Sequence, residues 1–154
     1  MDNLDNLFDN QKTEPTFDVN EWAQNKNEKR TRAYETISNT SMKIGSDSQM
    51  FQKYLDIQSQ FDVYSSNNVI LILSQKPEAT MIKDSATWRK SKTYIKKGEK
   101  RFTILEPGKK YQRDDGTMSI SYNPKTVFDI SQTTAQPQNK SKSNLIMAIQ
   151  SLLD

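Results

Sequence analysis

The stretch FDVYSSNNVILILSQKPEATMIKDSATWRKSKTYIKKGEKRFTIL, residues 61–105, decides how this chain folds. It opens on apolar residues, passes Trp88, and enters a basic segment carrying the turn Lys96-Lys97-Gly98-Glu99-Lys100. Taken alone, Val69-Ile70-Leu71-Ile72-Leu73 suits a buried strand as well as a buried helix, and periodicity does not separate the two. The cap cluster Tyr64-Ser65-Ser66-Asn67-Asn68 before the run and Pro77 after it favour a helix that ends just ahead of the proline. Asp84 or Ser85 then caps a short helix around Ala86-Thr87-Trp88-Arg89.

From Thr93 the pattern changes to alternation. Thr93-Tyr94-Ile95 predicts a strand, Lys97-Gly98-Glu99 its turn, and Arg101-Phe102-Thr103-Ile104-Leu105 the returning strand. Glu106-Pro107-Gly108 is expected to break that run. Tyr111–Arg113 and Met118–Tyr122 flank Asp115-Gly116, a strong hairpin signal, and Thr126–Ile130 reads as a last strand. On the N-terminal side, Ser46-Asp47-Ser48 caps a helix whose apolar stripe runs through Met50, Phe51, Tyr54, Leu55, Ile57 and Phe61 and is read as core. Before it, Asp18 or Asn20 starts a more polar helix, with Trp22, Ala33, Tyr34 and Ile37 as scattered apolar positions. That segment is read either as a packed helix or as an arm that folds only on a partner. Helices followed by antiparallel strands predict an α+β class, N-terminal helices on a small antiparallel sheet.

The boundaries expected are a disordered acidic tail over 1–18, an α+β domain over 19–133, a polar linker over 134–143 and a short C-terminal helix over 144–154. Only 33% of the 154 residues are apolar, so the core is small. No stretch approaches the ~20 apolar residues of a membrane span, and the acidic start is no signal peptide. The chain is therefore read as soluble, cytoplasmic and without a membrane partner.

Cysteine and histidine are both absent. That removes thiolate metal sites, cysteine nucleophiles, the commonest zinc ligand and the usual general base. No enzyme and no cofactor are expected. The net charge of +3 hides an asymmetry: residues 1–18 hold four Asp and one Glu against one Lys, whereas Lys83 to Arg113 holds eleven of the 22 basic residues. Such a concentration favours an anionic partner, nucleic acid first. Imitation of DNA is not expected, because it needs an extended acidic surface.

Single strands are held by cations on phosphates and by rings under bases, about 1–3 kcal/mol per stacked base. Lys92, Lys96, Lys97, Lys100 and Arg101 flank the expected turn, Tyr94 offers a ring, and Arg89 and Lys90 stand beside Trp88. Trp88 itself is assigned to the core. Tyr64 and Asn68 are candidates to orient a base or the backbone, with capping as the alternative for Asn68. A charged hairpin also blocks edge pairing, so residue chemistry alone leaves binding and a solvated face level. Glu99 is expected to pair with its neighbouring lysines, and Asp129 stands out as an acid within a strand.

Tyr64-Ser65-x-x-Asn68, Gln75-x-Pro77-x-Ala79-Thr80, Trp88, Lys96-Lys97-Gly98-Glu99-Lys100, Ile104-Leu105-x-Pro107 and Val127-Phe128-Asp129-Ile130-Ser131-Gln132-Thr133 occur in that order. The pattern, over residues 48–133, resembles the N-terminal domain of ArdC-type antirestriction proteins of conjugative plasmids and transposons. The resemblance implies an α+β domain that binds single-stranded DNA. Full-length members carry a second, metalloprotease-like domain with a His-Glu-x-x-His helix; with no histidine here, peptidase activity is not carried over. The alternative function is a protein-interaction module that docks through the acidic tail, at Leu4, Leu7 and Phe8, or through the C-terminal helix.

Overall fold

The computed structural model describes residues 16–135 and position 152. The tail expected over 1–18, except its last three residues, and nearly all of the linker and C-terminal helix lie outside the described residues. The fold is α+β, four helices beside a three-stranded antiparallel sheet in the order β1-β3-β2. Among the described residues no helix is long and apolar enough to cross a membrane.

Helix α1 spans Val19–Ser46 and is capped by Asp18, whose carboxylate accepts from the amides of Asn20 at 2.8 Å and Glu21 at 3.3 Å. Asn20 is thus inside the helix rather than its cap. Asp47 follows in an extended conformation and caps α2, Ser48–Gln60, so the two helices meet at a corner with no loop between them. α2 turns Met50, Tyr54, Ile57 and Phe61 inward. Phe51 and Leu55, expected in the same core, stay 48% and 42% exposed, because they lie on the flank that neither neighbouring helix covers. Ser65 caps α3, Ser66–Gln75, and residues 68–73 are all buried between the other helices and the sheet. The ambiguous apolar run is a helix, ending before Pro77 as expected.

Strand β1, Ile82–Lys83, pairs with the end of β3 and is too short to leave a periodic signal. α4 spans Ser85–Lys90 with Asp84 as its cap. β2, Phe102–Gln112, and β3, Met118–Asp129, form one long ribbon closed by the Asp115-Gly116 turn, where Gly116 has φ +86°. Two expectations need correcting. Pro107-Gly108 does not end the strand but makes a bulge, with three steps on β2 against two on β3 between the Pro107–Tyr122 and Lys110–Ile120 pairs. A side chain at Gly108 would lie 2.6 Å from Asn123 Nδ2 and 2.8 Å from the Ser121 carbonyl, so only glycine fits there. The segment 93–95 also does not pair with 101–105. Ile95 bridges to Thr133 instead, and Lys96 N–H donates to Gln132 O at 2.9 Å.

The free edge of β2 is closed by side chains. Asn68 Nδ2 donates to Leu105 O and its Oδ1 accepts from Leu105 N, both at 2.8 Å. Gln75 does the same at Thr103, donating at 2.8 Å and accepting at 3.0 Å. Alternate residues of an edge strand point both backbone groups outward, and here two amides seven positions apart on α3 take the place of the missing strand. The core lies beneath: Val69, Ile72, Phe102, Ile104 and Val127 with α2, and Ala33, Ile37, Ile70, Leu71 and Leu105 with α1.

Candidate nucleic-acid interface

The basic segment is carried by short, strongly bonded turns. Arg89 and Lys90 occupy the last turn of α4, where cations favour the negative end of the helix. The chain leaves α4 through Lys92 at φ 54°, with Lys92 N–H bonded to Arg89 O at 2.9 Å and Thr93 N–H to Trp88 O at 3.0 Å. This is a Schellman ending with lysine where glycine is usual. Tyr94 is then fixed to Thr134, whose N–H donates to Tyr94 O at 2.8 Å and whose hydroxyl accepts from Tyr94 N at 3.1 Å. Thr134, assigned to the linker by sequence, therefore belongs to the domain. Gly98, at φ +84°, closes the turn that returns the chain toward β2.

Two buried polar residues hold that turn in place. Gln132 accepts from Asp129 N at 2.9 Å and donates to Lys100 O at 2.7 Å. Asp129, expected within a strand, sits at its end and caps the 3-10 turn Ile130–Gln132. One of its oxygens accepts from the amides of Thr80 and Met81, the other from the amide and hydroxyl of Ser131. Burial works to raise the Asp129 pKa, but the bonds from Ser131, Thr80 and Met81 outweigh it and hold the carboxyl below its ordinary value. Gln132 and Thr133, whose role the sequence leaves open, are both buried struts.

On this frame Arg89, Tyr94 and Arg101 line one open groove of about 450 Å³, floored by Thr126 and Phe128 of β3. Tyr94 is 55% exposed and offers its ring to solvent. Arg101 also borders a second hollow of about 500 Å³, lined by Lys76, Lys100, Glu78 and Glu99 among others. Lys90, Lys92, Lys96 and Lys97 are exposed around the same turns. Among the described residues none of Arg89, Lys90, Lys92, Lys96, Lys97, Lys100 or Arg101 has a carboxylate within 4.0 Å; the ion pairs found are Lys76–Glu78 and Lys125 with Asp84 and Glu106. Glu99, expected to pair with these lysines, instead accepts from Gln132 Nε2 at 3.3 Å.

Two sequence candidates lie elsewhere. Asn68 is 8% exposed with both amide atoms committed to Leu105, so it is a strut between α3 and β2 and not a ligand for a base. Tyr64 is half-buried, edge-on to Phe61 with ring centroids 5.4 Å apart, and packs against the core. Trp88 is core as expected, 3% exposed and donating to Phe128 O at 3.1 Å. The sequence places Phe128 and Thr126 in the last strand without a site role; their period-two spacing in β3 is the signal that puts both on one face.

A small α+β domain whose cations around one groove have no carboxylate partner among the described residues, with a tyrosine beside them, has the chemistry to meet a polyanion with planar groups. No family model matches the chain, and neither a curated protein nor a solved structure shows significant similarity to it. Among the described residues no group of three or more carboxylates is placed to hold a metal ion.

Proposed function

We propose that this chain is a non-catalytic DNA-binding module that prefers single strands without regard to sequence. It works in the cytoplasm during conjugative transfer or antirestriction, as the resemblance to ArdC-type N-terminal domains implies. The observation that carries the reading is the convergence of Arg89, Tyr94 and Arg101 on one groove, with no carboxylate among the described residues to neutralise the arginines. Cations hold phosphates, the Tyr94 ring stacks on a base, and a paired base in a duplex does not present the face that such stacking needs.

Fluorescence anisotropy with a labelled ~20-nucleotide single strand, its duplex and the matching RNA at several salt concentrations tests this. With ~4 phosphates neutralised, log K falls with log salt at a slope of about −3. Tight binding that ignores salt, or a duplex bound as well as the single strand, refutes it.

A second reading, a protein-interaction module, draws on the far end of the ribbon. Met118, Ile120 and Tyr122 alternate along β3 and are 64%, 38% and 43% exposed, forming an apolar strip on one face. Substituting all three with serine leaves DNA affinity unchanged under either reading. Loss of a co-purifying protein partner in that variant favours the second.

A further inference from the structure

Helix α1 carries one long stripe at Trp22, Lys26, Lys29, Ala33, Ile37, Thr40 and Ile44, spaced three or four residues apart and so on one face. Its C-terminal half is core, with Ala33, Ile37 and Thr40 buried. Its N-terminal half is aromatic and cationic instead, and none of Trp22, Lys26 and Lys29 is buried. Glu21, Glu28 and Glu35 recur every seven residues, roughly 120° round the helix from that stripe, on the side where Arg32 lines a hollow with Glu28 and Glu35. Trp22 is 52% exposed, lies 6.5 Å from the exposed ring of Phe17, and has Lys26 Nζ 5.0 Å from its centroid. At an exposed site that cation–π contact is weak enough for a stacking base to displace.

The stripe meets the sheet beside the Tyr94 groove. Trp22, Lys26 and Lys29 line a cavity of about 310 Å³ whose other wall includes Asn123 and Pro124. Glu106 also lines it and is paired with Lys125 at 3.3 Å. Arg30 fixes the helix there, donating to Tyr122 O and Asn123 Oδ1, each at 2.9 Å. Lys29 and Arg32 further line a small cavity with Thr103. Thr103 is opposite Thr126 and Leu105 is opposite Pro124, and cross-strand partners share a face. Pro124, Thr126 and Phe128 thus lie on one side of β3, and Thr126 and Phe128 are the floor of the groove. Four residues along a strand span ~13 Å.

Resting on the nucleic-acid reading above, we infer that the first turns of α1 form the second half of the single-strand track. Trp22 is its second stacking platform, and Lys26 and Lys29 contact the phosphates of nucleotides next to those at Tyr94. The occupant is the same single strand, because the shared sheet face joins the two sites and the stripe presents cations beside a ring.

The test uses the full chain with labelled oligothymidylates of about 4, 8, 12 and 16 nucleotides, a range typical of single-strand site sizes. Affinity of the unmodified protein rises with length, and Trp22→Ala removes about five-fold or more of that rise while leaving the shortest oligomer unaffected. Trp22→Phe restores most of it. Lys26→Ser with Lys29→Ser, at surface positions that leave the fold intact, flattens the salt slope by about 1.4 on long oligomers only. Tyr94→Ala weakens every length. Length dependence unaltered in both the Trp22→Ala and the double-lysine variant, or weakened equally at all lengths, overturns the α1 inference and leaves the Tyr94 groove standing. No binding by the unmodified protein at any length overturns the nucleic-acid reading, and the inference with it.

Discussion

Lys92 has φ 54°, and among the described residues no other non-glycine residue has a positive φ. An L-residue in the left-handed region carries a cost of about 1–2 kcal/mol. Glycine avoids that cost but loses about 0.5–1 kcal/mol more backbone entropy on folding. The two Schellman bonds, from Lys92 N–H and Thr93 N–H, are backbone bonds that glycine or asparagine at position 92 can keep. Lys92→Gly therefore stabilises the domain by about 0.5–1 kcal/mol, or ~2–5 °C in Tm for a domain of this size. If Lys92 also contacts a phosphate, the same change weakens single-strand binding and flattens the salt slope by about 0.7. Stability and affinity then move in opposite directions, which a merely structural residue does not produce. Lys92→Asn separates the causes, since asparagine tolerates this backbone region but carries no charge: it weakens binding as glycine does, with a smaller gain in stability. Thermal melts and anisotropy on the three proteins suffice. A Lys92→Gly protein no more stable than the original refutes the strain argument, and one that is more stable with unchanged affinity and salt slope removes Lys92 from the interface.

The other predictions address the frame and the groove separately. Asn68→Ala leaves the buried N–H and C=O of Leu105 without partners and costs about 2–4 kcal/mol in urea unfolding, with affinity per folded molecule unchanged. Because the Asp129 carboxyl is held below its ordinary 3.8 in the fold, its contribution is complete above that value and is lost as pH falls through the lowered one; the unmodified protein loses stability as acid passes below about pH 4, and Asp129→Asn flattens that dependence. Gly108→Ala drives a methyl group against Asn123 and Ser121 and lowers Tm, whereas Gly45→Ala, in open space on a helix, raises it slightly. Tyr94→Ala weakens single-strand binding by about five-fold or more with little effect on Tm, and Tyr94→Phe keeps most of the affinity.

The helices were legible because their signals are local. Asp47, Ser65 and Asp84 each precede a helix and each caps one, and Pro77 marks the end of α3. The strand partners were not legible, because pairing is a long-range choice. Residues 93–105 carry the pattern of a hairpin, yet Ile95 finds a better partner in Thr133, where Gln132 and Thr134 supply further bonds. Pro107-Gly108 reads as a break because those residues usually end strands, while the ladder on β3 is long enough to carry one extra residue past them.

The candidate site was half legible for a related reason. A polar residue within an apolar motif looks the same in sequence whether it binds a ligand or its own backbone. Asn68, Gln75, Asp129 and Gln132 all do the latter, each joining segments distant in sequence or closing a turn. They are the residues that make the motif blocks distinctive, and they form the frame. Arg89, Tyr94, Lys100 and Arg101 carry no comparable signature beyond charge and one ring, and the frame leaves their side chains in solvent. Since the frame satisfies its backbone groups without them, these side chains can be exchanged with little effect on folding, whereas the buried Asn68, Asp129 and Gln132 cannot. On the proposed reading folding and binding fall to different residues, and a scan that measures both must find two classes of variant: destabilised with normal affinity at Asn68, Asp129 and Gln132, stable with weakened affinity at the cations and Tyr94.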